Sequence, residues 1–283
     1  MRMTKSDRQH RRHRWSAMAA LPALFLTLAL LITNQGFAAE AIKTEKLVLL
    51  VRELRNDNGE VVPIRDEIRQ LLAYFERELH VQFDIRRYPW TRLLVNARNG
   101  EGIVFGLSRT RERLTIFHFS EPIYANYVWL VTRSDATFTF NSMQDLKGKT
   151  VGIVRGTSYG DEFDANRNSL FQVEEDTGSH GARLKKLLNR RMDVMVFGDR
   201  RSQAEDVEHL LLQILRKDSS AAERTMDKTL ETSFKVLTKP MSVDDLHFAA
   251  VSPQYDVWIK KLSQAIIAGK RSGEINRILI PEK

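Results

Sequence analysis

The sequence predicts an α/β fold in which sheets are covered by helices on both faces. Short apolar runs with the length of strands alternate with longer stretches whose apolar residues recur every three to four positions. Such alternation is typical of largely parallel sheets flanked by helices. Without its amino-terminal leader the chain has about 245 residues, which is enough for two lobes of roughly 100 residues, each with its own core.

The first half of the chain alternates in this way from its first apolar run onward. Predicted strands lie at Leu47–Val51, Val81–Tyr88, Ile103–Phe105 and Val128–Thr132. Apolar residues recur at helical spacing from Ile64 to His80, which predicts an amphipathic helix. Pro89 suits a first helical turn, so a second helix is predicted to follow it through Ala97. Ser134-Asp135 is predicted to mark the crossing into the second lobe.

The second half repeats the pattern. Predicted strands lie at Thr150–Val154, Phe171–Glu174, Asp193–Phe197 and His247–Val251. Predicted helices follow the Gly156-Thr157-Ser158 turn, then cover Leu184–Met192 and Val207–Ile214. Phe234–Leu237 is expected to be the return crossing. Ser252-Pro253 combines an N-cap residue with a proline at the first helical position, which predicts a final helix through Ile266.

The amino-terminal segment has the features of a secretory signal peptide. Residues 2–14 hold six basic residues against one acid, and an uncharged apolar run of about seventeen residues follows from Ala17 to Thr33. Gly36-Phe37-Ala38 offers the small residues that a signal peptidase recognises, so cleavage is predicted after Ala38. The alternative is an uncleaved membrane anchor, for which the run is marginally short. Because the sequence has no cysteine, a lipoprotein anchor and disulfides are excluded.

The basic character of the chain resides largely in that segment. The whole sequence has 44 basic and 36 acidic residues, and residues 1–38 contribute six of the basic and one of the acidic residues. The remainder carries 38 basic and 35 acidic residues, a net charge of about +3. A nucleic-acid-binding protein would instead present a clustered basic face. We therefore expect no nucleic acid among the partners.

A candidate anion site follows the predicted strand Ile103–Phe105. The stretch from Gly106 to Pro122 contains two hydroxyl residues, Ser108 and Thr110, and then Arg113. Either hydroxyl can cap the turn that follows, and a guanidinium can bind a carboxylate through two parallel hydrogen bonds. The alternative is a surface turn, in which Arg113 forms an ion pair with a neighbouring glutamate and Ser108 only caps a helix.

Two blocks of the sequence carry a family resemblance. The first contains a glycine, two hydroxyl residues, Glu-Arg and Phe-Ser-x-Pro, at Gly106, Ser108, Thr110, Glu112, Arg113, Phe119, Ser120 and Pro122. The second runs from Leu146 to Ser158. Together they resemble the signature and the opening of the second lobe of bacterial family 3 solute-binding proteins, the periplasmic receptors for polar amino acids. Two blocks in the right order, about forty residues apart, are more specific than either block alone.

The resemblance implies a two-lobed clamshell of the type II periplasmic-binding-protein fold, with two hinge crossings and the ligand in the cleft. The implied domains are a signal peptide at residues 1–38, a first lobe at 39–133 plus 238–283, and a second lobe at 134–237. Sheets of this kind bind ligands beyond the carboxyl ends of their strands, and both blocks lie at such ends.

The implied ligand site draws on both lobes. The first lobe would supply the backbone of Gly106 and the side chains of Ser108 and Arg113. The second would supply the amides and hydroxyls of Thr157 and Ser158, because free amides at a helix start attract a negative group. A carboxylate bound from both sides would favour the closed state.

The sequence departs from the family pattern at positions that would contact parts of the ligand other than its carboxylate. The family usually has an apolar Pro-aromatic pair after its first strand, where this chain has Arg52-Glu53-Leu54. The aspartate that usually accepts the ligand's ammonium falls on Gly198, with Asp199 one position later. Further arginines add positive charge near the cleft: Arg109, Arg111 and Arg155. Carboxylate binding is therefore expected, α-amino recognition stays open, and an organic anion is a second ligand class.

Trp90 has two interpretations, a wall of the ligand site or ordinary core packing, of which packing is the commoner role for such a residue. Asp199 is a candidate ligand residue on the other side of the cleft. The seven histidines are scattered, and no pair has the spacing of metal ligands. We therefore predict a ligand-binding site without a metal and without a cofactor.

Three functions are compatible with the sequence. The first is a periplasmic solute-binding protein that captures an amino acid or similar small carboxylate for an ABC importer. The second is an orphan binding module that serves a signalling partner. The third is a dehydratase-like enzyme on the same scaffold, which would need a general acid in the cleft, with Glu53 and Asp199 as candidates.

We favour the first function and predict that the chain is not an enzyme, since it contains no nucleophile elbow, phosphate loop or metal motif. The expected partners are a small-molecule ligand and an ABC permease. The expected mature protein is a monomer in the periplasm, without stable membrane insertion after signal cleavage.

Overall fold

The computed structural model describes residues 45–56, 58–176, 179–217, 233–251 and 253–279. Within these ranges the strands are β1 Glu45–Arg52, β2 Val81–Tyr88, β3 Ile103–Ser108, β4 His118–Arg133, β5 Thr150–Val154, β6 Gln172–Asp176, β7 Val194–Asp199, β8 Phe234–Val236 and β9 Ser242–Ala250. The helices are α1 Asp66–Leu79, α2 Trp90–Arg98, α3 Arg111–Leu114, α4 Asp161–Asn166, α5 His180–Leu188, α6 Ala204–Lys217, α7 Asp256–Arg271 and α8 Glu274–Leu279. The predicted signal peptide and the Ser252 cap lie outside the described residues.

The strands form one continuous sheet in the order β2-β1-β3-β9-β4-β7-β5-β6, and β8 pairs with β4. Each end of this sheet is a parallel set: β1 lies between β2 and β3, and β5 lies between β6 and β7. The two parallel sets are joined by β4 and β9, which run antiparallel to each other and to their outer neighbours. The α/β prediction is therefore confirmed, with two parallel halves linked by a central antiparallel pair.

Four clusters of buried apolar residues fill the two halves. In the first half, alternation along β1 sends Leu49 and Leu50 into separate clusters, one packed by α1, α7 and α8 and the other by α2. In the second half, Ile153 and Leu184 mark the corresponding clusters on the two faces of the sheet. Both faces of each parallel set are thus covered, as continuous apolar strands require.

The long strand β4 carries the chain from one half to the other. Ile123 belongs to a cluster of the first half, and Val128, five residues later, belongs to a cluster of the second. The return passage lies in β9, where Phe248 again belongs to the first half. The change from one set of clusters to the other therefore occurs inside two paired strands. The crossings predicted at Ser134-Asp135 and Phe234–Leu237, and the lobe boundaries drawn from them, stay predictions.

Two elements differ in extent from their predictions. The strand expected at Val128–Thr132 begins ten residues earlier, at His118, and register shifts between Phe119 and Tyr124 accommodate its bend. The helix expected directly after the Gly156-Thr157-Ser158 turn begins only at Asp161. In the described part of the chain, no helix combines the length and apolarity needed to cross a membrane.

Candidate ligand-binding site

A cavity of about 760 Å³ lies in the cleft between the two halves. Its walls come from the carboxyl ends of the parallel strands and from the central strands β4 and β9. All seven residues predicted for the site line this cavity: Trp90, Gly106, Ser108, Arg113, Thr157, Ser158 and Asp199. Its volume is typical of a pocket for a small molecule.

Arg113 is a buried cation in this cavity, with only 6% of its surface exposed. Its Nη1 donates hydrogen bonds to the carbonyl oxygen of Ser108 at 3.0 Å and to the Ser108 hydroxyl at 2.8 Å. Its guanidinium carbon lies 5.9 Å from the ring centroid of Trp90. Burial lowers the pKa of Arg113, although Asp164 and Glu112 act in the opposite direction. An arginine stays charged in any such setting, so the cavity contains a desolvated positive charge.

The carboxylate directly before Arg113 in sequence is engaged elsewhere. Glu112 forms an ion pair with Arg98 at 2.5 Å. No carboxylate of the described residues lies within ion-pair distance of the Arg113 guanidinium. The alternative interpretation of Arg113 as half of a surface ion pair therefore does not match its surroundings.

Local structure at the end of β3 explains how Arg113 reaches the cavity. Thr110 is the cap of the short helix α3, because its hydroxyl accepts from the Arg113 amide at 3.2 Å. Ser108 is therefore free of the capping role and binds the guanidinium instead. Gly106 has a φ of 82° and sits at a shift in the β3–β9 register, a conformation that side chains disfavour.

Trp90 spans the cleft. Its indole Nε1 donates to the carbonyl oxygen of Gly156 at 3.1 Å, which links α2 to the turn after β5. The approach is close because Gly156 lacks a side chain: a Cβ there would lie 3.2 Å from Thr91 Oγ1, and its φ is 71°. Trp90 is half-buried, lines the cavity and also packs against the apolar cluster that contains Leu93, so it combines the two environments that the sequence analysis left open.

The turn after β5 offers hydroxyls to the cavity. The amide of Thr157 already donates to Val154 at 3.0 Å, and its hydroxyl is buried without a hydrogen-bond partner among the described residues. The Ser158 hydroxyl donates to Asp164. The sequence analysis expected a free amide of a helix start at Thr157. This amide is already bonded, and α4 starts only three residues after Ser158. An unpaired buried hydroxyl is costly unless a ligand or water satisfies it.

Asp199 is buried, but two arginines already neutralise it. Arg201 contacts its Oδ1 at 2.7 Å, and Arg65, from the segment before α1, contacts its Oδ2 at 3.4 Å. Arg65 also lies 3.3 Å from Glu67, which Arg200 contacts at 3.0 Å. This set of residues forms an ion-pair network across the cleft, so Asp199 lines the cavity as part of a bridge between the halves.

Asp244 on β9 is a cavity carboxylate that the sequence analysis missed. It is half-buried and has no ion pair among the described residues. Burial raises the pKa of Asp244, while the neighbouring Ser242 and the charge of Arg113 oppose the rise. The sequence contains two adjacent aspartates, Asp244 and Asp245, in what becomes the central strand β9. Only the pairing of β9 in the sheet shows that Asp244 lines the cavity.

A second positive set in the cavity contains Arg52 and Arg183. Arg52 ends β1, and Arg183 of α5 is buried, donating from Nη2 to the carbonyls of Gly152 and Val196 at 3.0 and 2.7 Å. His180 also lines the cavity, and its pKa is lowered to about 3 by burial and by the charges of Arg183, Arg52 and Arg65. His180 is therefore neutral near pH 7. None of these residues was predicted for the site.

The cavity as a whole is electropositive. Seven arginines but only three carboxylates are among the described residues that line it. A cleft with walls of one charge sign concentrates ligands of the opposite sign. No group of three potential metal ligands occurs among the residues that the structure describes. The charge of the walls suits an anion.

Comparison with known proteins identifies the scaffold. The model of the bacterial extracellular solute-binding proteins, family 3, matches residues 54–280. ABC transporter arginine-binding protein 1 of Escherichia coli (strain K12) is 25% identical over 182 residues, which cover 62% of this chain and 70% of that protein.

Solved structures show the same fold. The arginine 3rd transport system periplasmic binding protein from Legionella pneumophila superposes with a TM-score of 0.61 at 21% identity, over 83% of this chain and 98% of that one. An ancestral arginine-binding protein bound to arginine gives 0.59 at 18% identity, over 82% and 96% of the two chains. The relatives are named as binding proteins, and these comparisons give the dehydratase alternative no support. The chain belongs to the bacterial extracellular solute-binding proteins, family 3.

Proposed function

We propose that this protein captures an amino acid in the cavity between its two halves and delivers it to the permease of an ABC importer. Family membership supports amino-acid binding in general. The observation that carries the proposal for this chain is Arg113, a buried guanidinium bound to Ser108 and paired with no described carboxylate. A ligand carboxylate would supply the missing counter-charge.

The proposed carboxylate site has donors from both halves. Arg113 would form a bidentate pair, since neither its Nε nor its Nη2 has a hydrogen-bond partner among the described residues, and neither atom is fully enclosed. The Gly106 backbone and Ser108 would complete the first-half contacts. Thr157 and Ser158 would approach from the second half, where the unpaired Thr157 hydroxyl favours a polar ligand group.

The proposed acceptor for the ligand's ammonium is Asp244 rather than Asp199. Asp199 is occupied by Arg65 and Arg201, whereas Asp244 has no ion pair among the described residues and lies near enough to Arg113 for each charge to affect the other's pKa. An amino acid places its carboxylate and ammonium on one carbon, so neighbouring cation and anion sites suit it. Asp244→Asn should weaken L-amino acids by about tenfold and leave their deaminated analogues within about twofold.

Ligand binding would be coupled to closure of the halves. A ligand that contacts Arg113 on one side and Thr157 on the other binds the closed state more tightly and shifts the hinge equilibrium toward it. The described contacts across the cleft, Trp90 with Gly156 and Glu67 with Arg200, would form in that state.

A thermal-shift screen of amino acids and organic acids tests the proposal. A compound at one hundred times its Kd adds about 2.7 kcal/mol to the free energy of unfolding, which corresponds to a rise in Tm of about 5–10 °C for a chain of this size. The screen includes Arg113→Ala as the control. If no carboxylate raises the Tm of the wild type, or if the rise survives in Arg113→Ala, the proposed site is wrong.

We further propose export and a monomeric mature protein. The predicted cleavage after Ala38 would give a periplasmic protein that begins at Ala39, which mass spectrometry of a periplasmic extract can detect. A full-length chain retained in the membrane fraction would contradict export. Loss of growth on the identified ligand after gene deletion would support transport, whereas unchanged uptake would favour the alternative of a module that serves a signalling partner.

A further inference from the structure

Arg52 is placed in the cavity by the first strand. It is the last residue of β1, and its backbone pairs with Tyr88 of the parallel strand β2. Side chains alternate along a strand: Val51 is buried in the apolar cluster, and Arg52 is half-buried and lines the cavity. The regular pairing of β1 with β2 fixes the backbone position of Arg52, so this position does not depend on a loop.

Arg52 has no partner among the described residues, in contrast with the other arginines of the cavity. Arg55 pairs with Glu53 at 2.6 Å, Arg87 donates to the carbonyl of Val62 at 2.8 Å, and the remaining four have the contacts given above. For Arg52 there is no hydrogen bond, ion pair or ring contact within the described part of the chain. None of its side-chain nitrogens is fully enclosed by protein.

The surroundings of Arg52 increase the cost of this charge. Burial lowers the pKa of Arg52, and the positive charge of Arg183 lowers it further, while only Tyr159 acts in the opposite direction. The Nε of Arg183 is itself buried without a hydrogen-bond partner. A half-buried charge without a counter-charge is costly, and groups held in this state are enriched at functional sites.

In the cavity, Arg52, Arg113 and Asp244 have no ion pair among the described residues, and a ligand with the opposite charges could pair with them. Arg113 follows β3 and interacts electrostatically with Asp244, whereas Arg52 ends β1 and interacts electrostatically with Arg183 and Tyr159; these residues line the same cavity. A ligand carboxylate would pair with Arg113 and a ligand ammonium with Asp244. A second anionic group would then be needed to compensate Arg52.

We propose that the ligand is an amino acid with an anionic side chain, and that Arg52 binds that side-chain group. This inference rests on the proposed function, because it assumes an α-carboxylate on Arg113. The recognised chemistry is a second carboxylate, phosphate or sulfonate, each of which can accept the guanidinium fork. Arginine, the ligand named for the relatives, would instead bring a cation against Arg52 and Arg183.

Calorimetry with L-glutamate and L-glutamine tests the inference, because the two compounds have nearly the same shape and differ by one negative charge. L-Aspartate, O-phospho-L-serine and L-cysteate extend the test to shorter carboxylate, phosphate and sulfonate side chains. L-Arginine represents amino acids with a cationic side chain. We expect an anionic amino acid to bind the wild type at least about 30-fold more tightly than L-glutamine or L-arginine.

The variant Arg52→Ala should lower affinity for the preferred anionic amino acid by about 30-fold or more, and for L-glutamine by less than about threefold. Arg52→Lys should give an intermediate loss, because charge is kept and the fork is lost. Arg55→Ala is the matched control: it removes the same charge from the same cavity, but its side chain is 50% exposed and paired with Glu53. It should change affinity by less than about threefold.

The unliganded melting temperature separates a ligand residue from a structural one. Removal of a half-buried charge that has no counter-charge should leave the Tm of Arg52→Ala equal to or above that of the wild type, whereas replacement of a structural arginine would lower the Tm. If L-glutamine or L-arginine binds as tightly as every anionic compound, and Arg113→Ala abolishes that binding, the side-chain inference is overturned and the proposed function stands. If no compound binds, or binding is independent of Arg113, both are overturned.

Discussion

Replacement of Arg113 by alanine tests the central charge of the site. Arg113 is 6% exposed, and its guanidinium pairs with no described carboxylate. A ligand carboxylate that binds this guanidinium would therefore be largely shielded from water. Truncation would leave that carboxylate buried and unpaired, which costs about 2–4 kcal/mol of binding free energy. The expected loss of affinity is roughly 30- to 700-fold.

Titration calorimetry with the ligand from the screen measures this loss. Arg113→Lys keeps the charge but cannot form the fork, so it should also bind poorly. Arg98→Ala is the matched control, since Arg98 is an exposed arginine that pairs with Glu112. Chemical denaturation should show a small change in the unfolding free energy of Arg113→Ala, because the lost hydrogen bonds to Ser108 are offset by removal of a buried charge. Unchanged affinity in Arg113→Ala would remove Arg113 from the site.

Three further predictions concern closure and pH. Ser158→Trp should fill the second-half side of the cavity, so solution scattering should show ligand-induced contraction for the wild type and none for the variant; contraction in both at equal affinity would exclude Ser158 from the contact. A double-mutant cycle of Glu67→Ala and Arg200→Ala should give a coupling energy of about 0.5–1 kcal/mol in ligand binding, and a zero value would mean that the cross-cleft pair does not stabilise closure. The folded-state pKa of His180, about 3, lies below its unfolded value of roughly 6.5, so the unfolded state binds the extra proton between these values and stability should fall as pH drops through that window. A His180→Gln variant should lose this part of the pH dependence in thermal melts, and an unaltered profile would refute the assignment.

Local sequence patterns were sufficient for most of the fold. Helical periodicity from Ile64 to His80 predicted α1 to within two residues at each end, and the apolar run Thr150–Val154 is β5 as predicted. These elements depend on which side chains can be buried together at period 3.6 or 2, and that information is local. The bend of β4 and the late start of α4 were missed, because each depends on pairing or turn geometry outside the local pattern.

The site shows the same division. The residue types and order around Arg113 predicted a carboxylate-binding segment, because a guanidinium after a strand end can donate two parallel hydrogen bonds and this is visible without knowledge of its partners. Whether a charge is free or paired is a property of distances between residues far apart in the chain. Asp199 is neutralised by Arg65, 134 positions away, while Arg52 and Asp244 have no ion pair among the described residues. The sequence by itself determined the α/β fold and predicted a carboxylate site at Arg113, and the tertiary structure alone decided which charges of the cavity are paired, since electrostatic compensation depends on proximity in space.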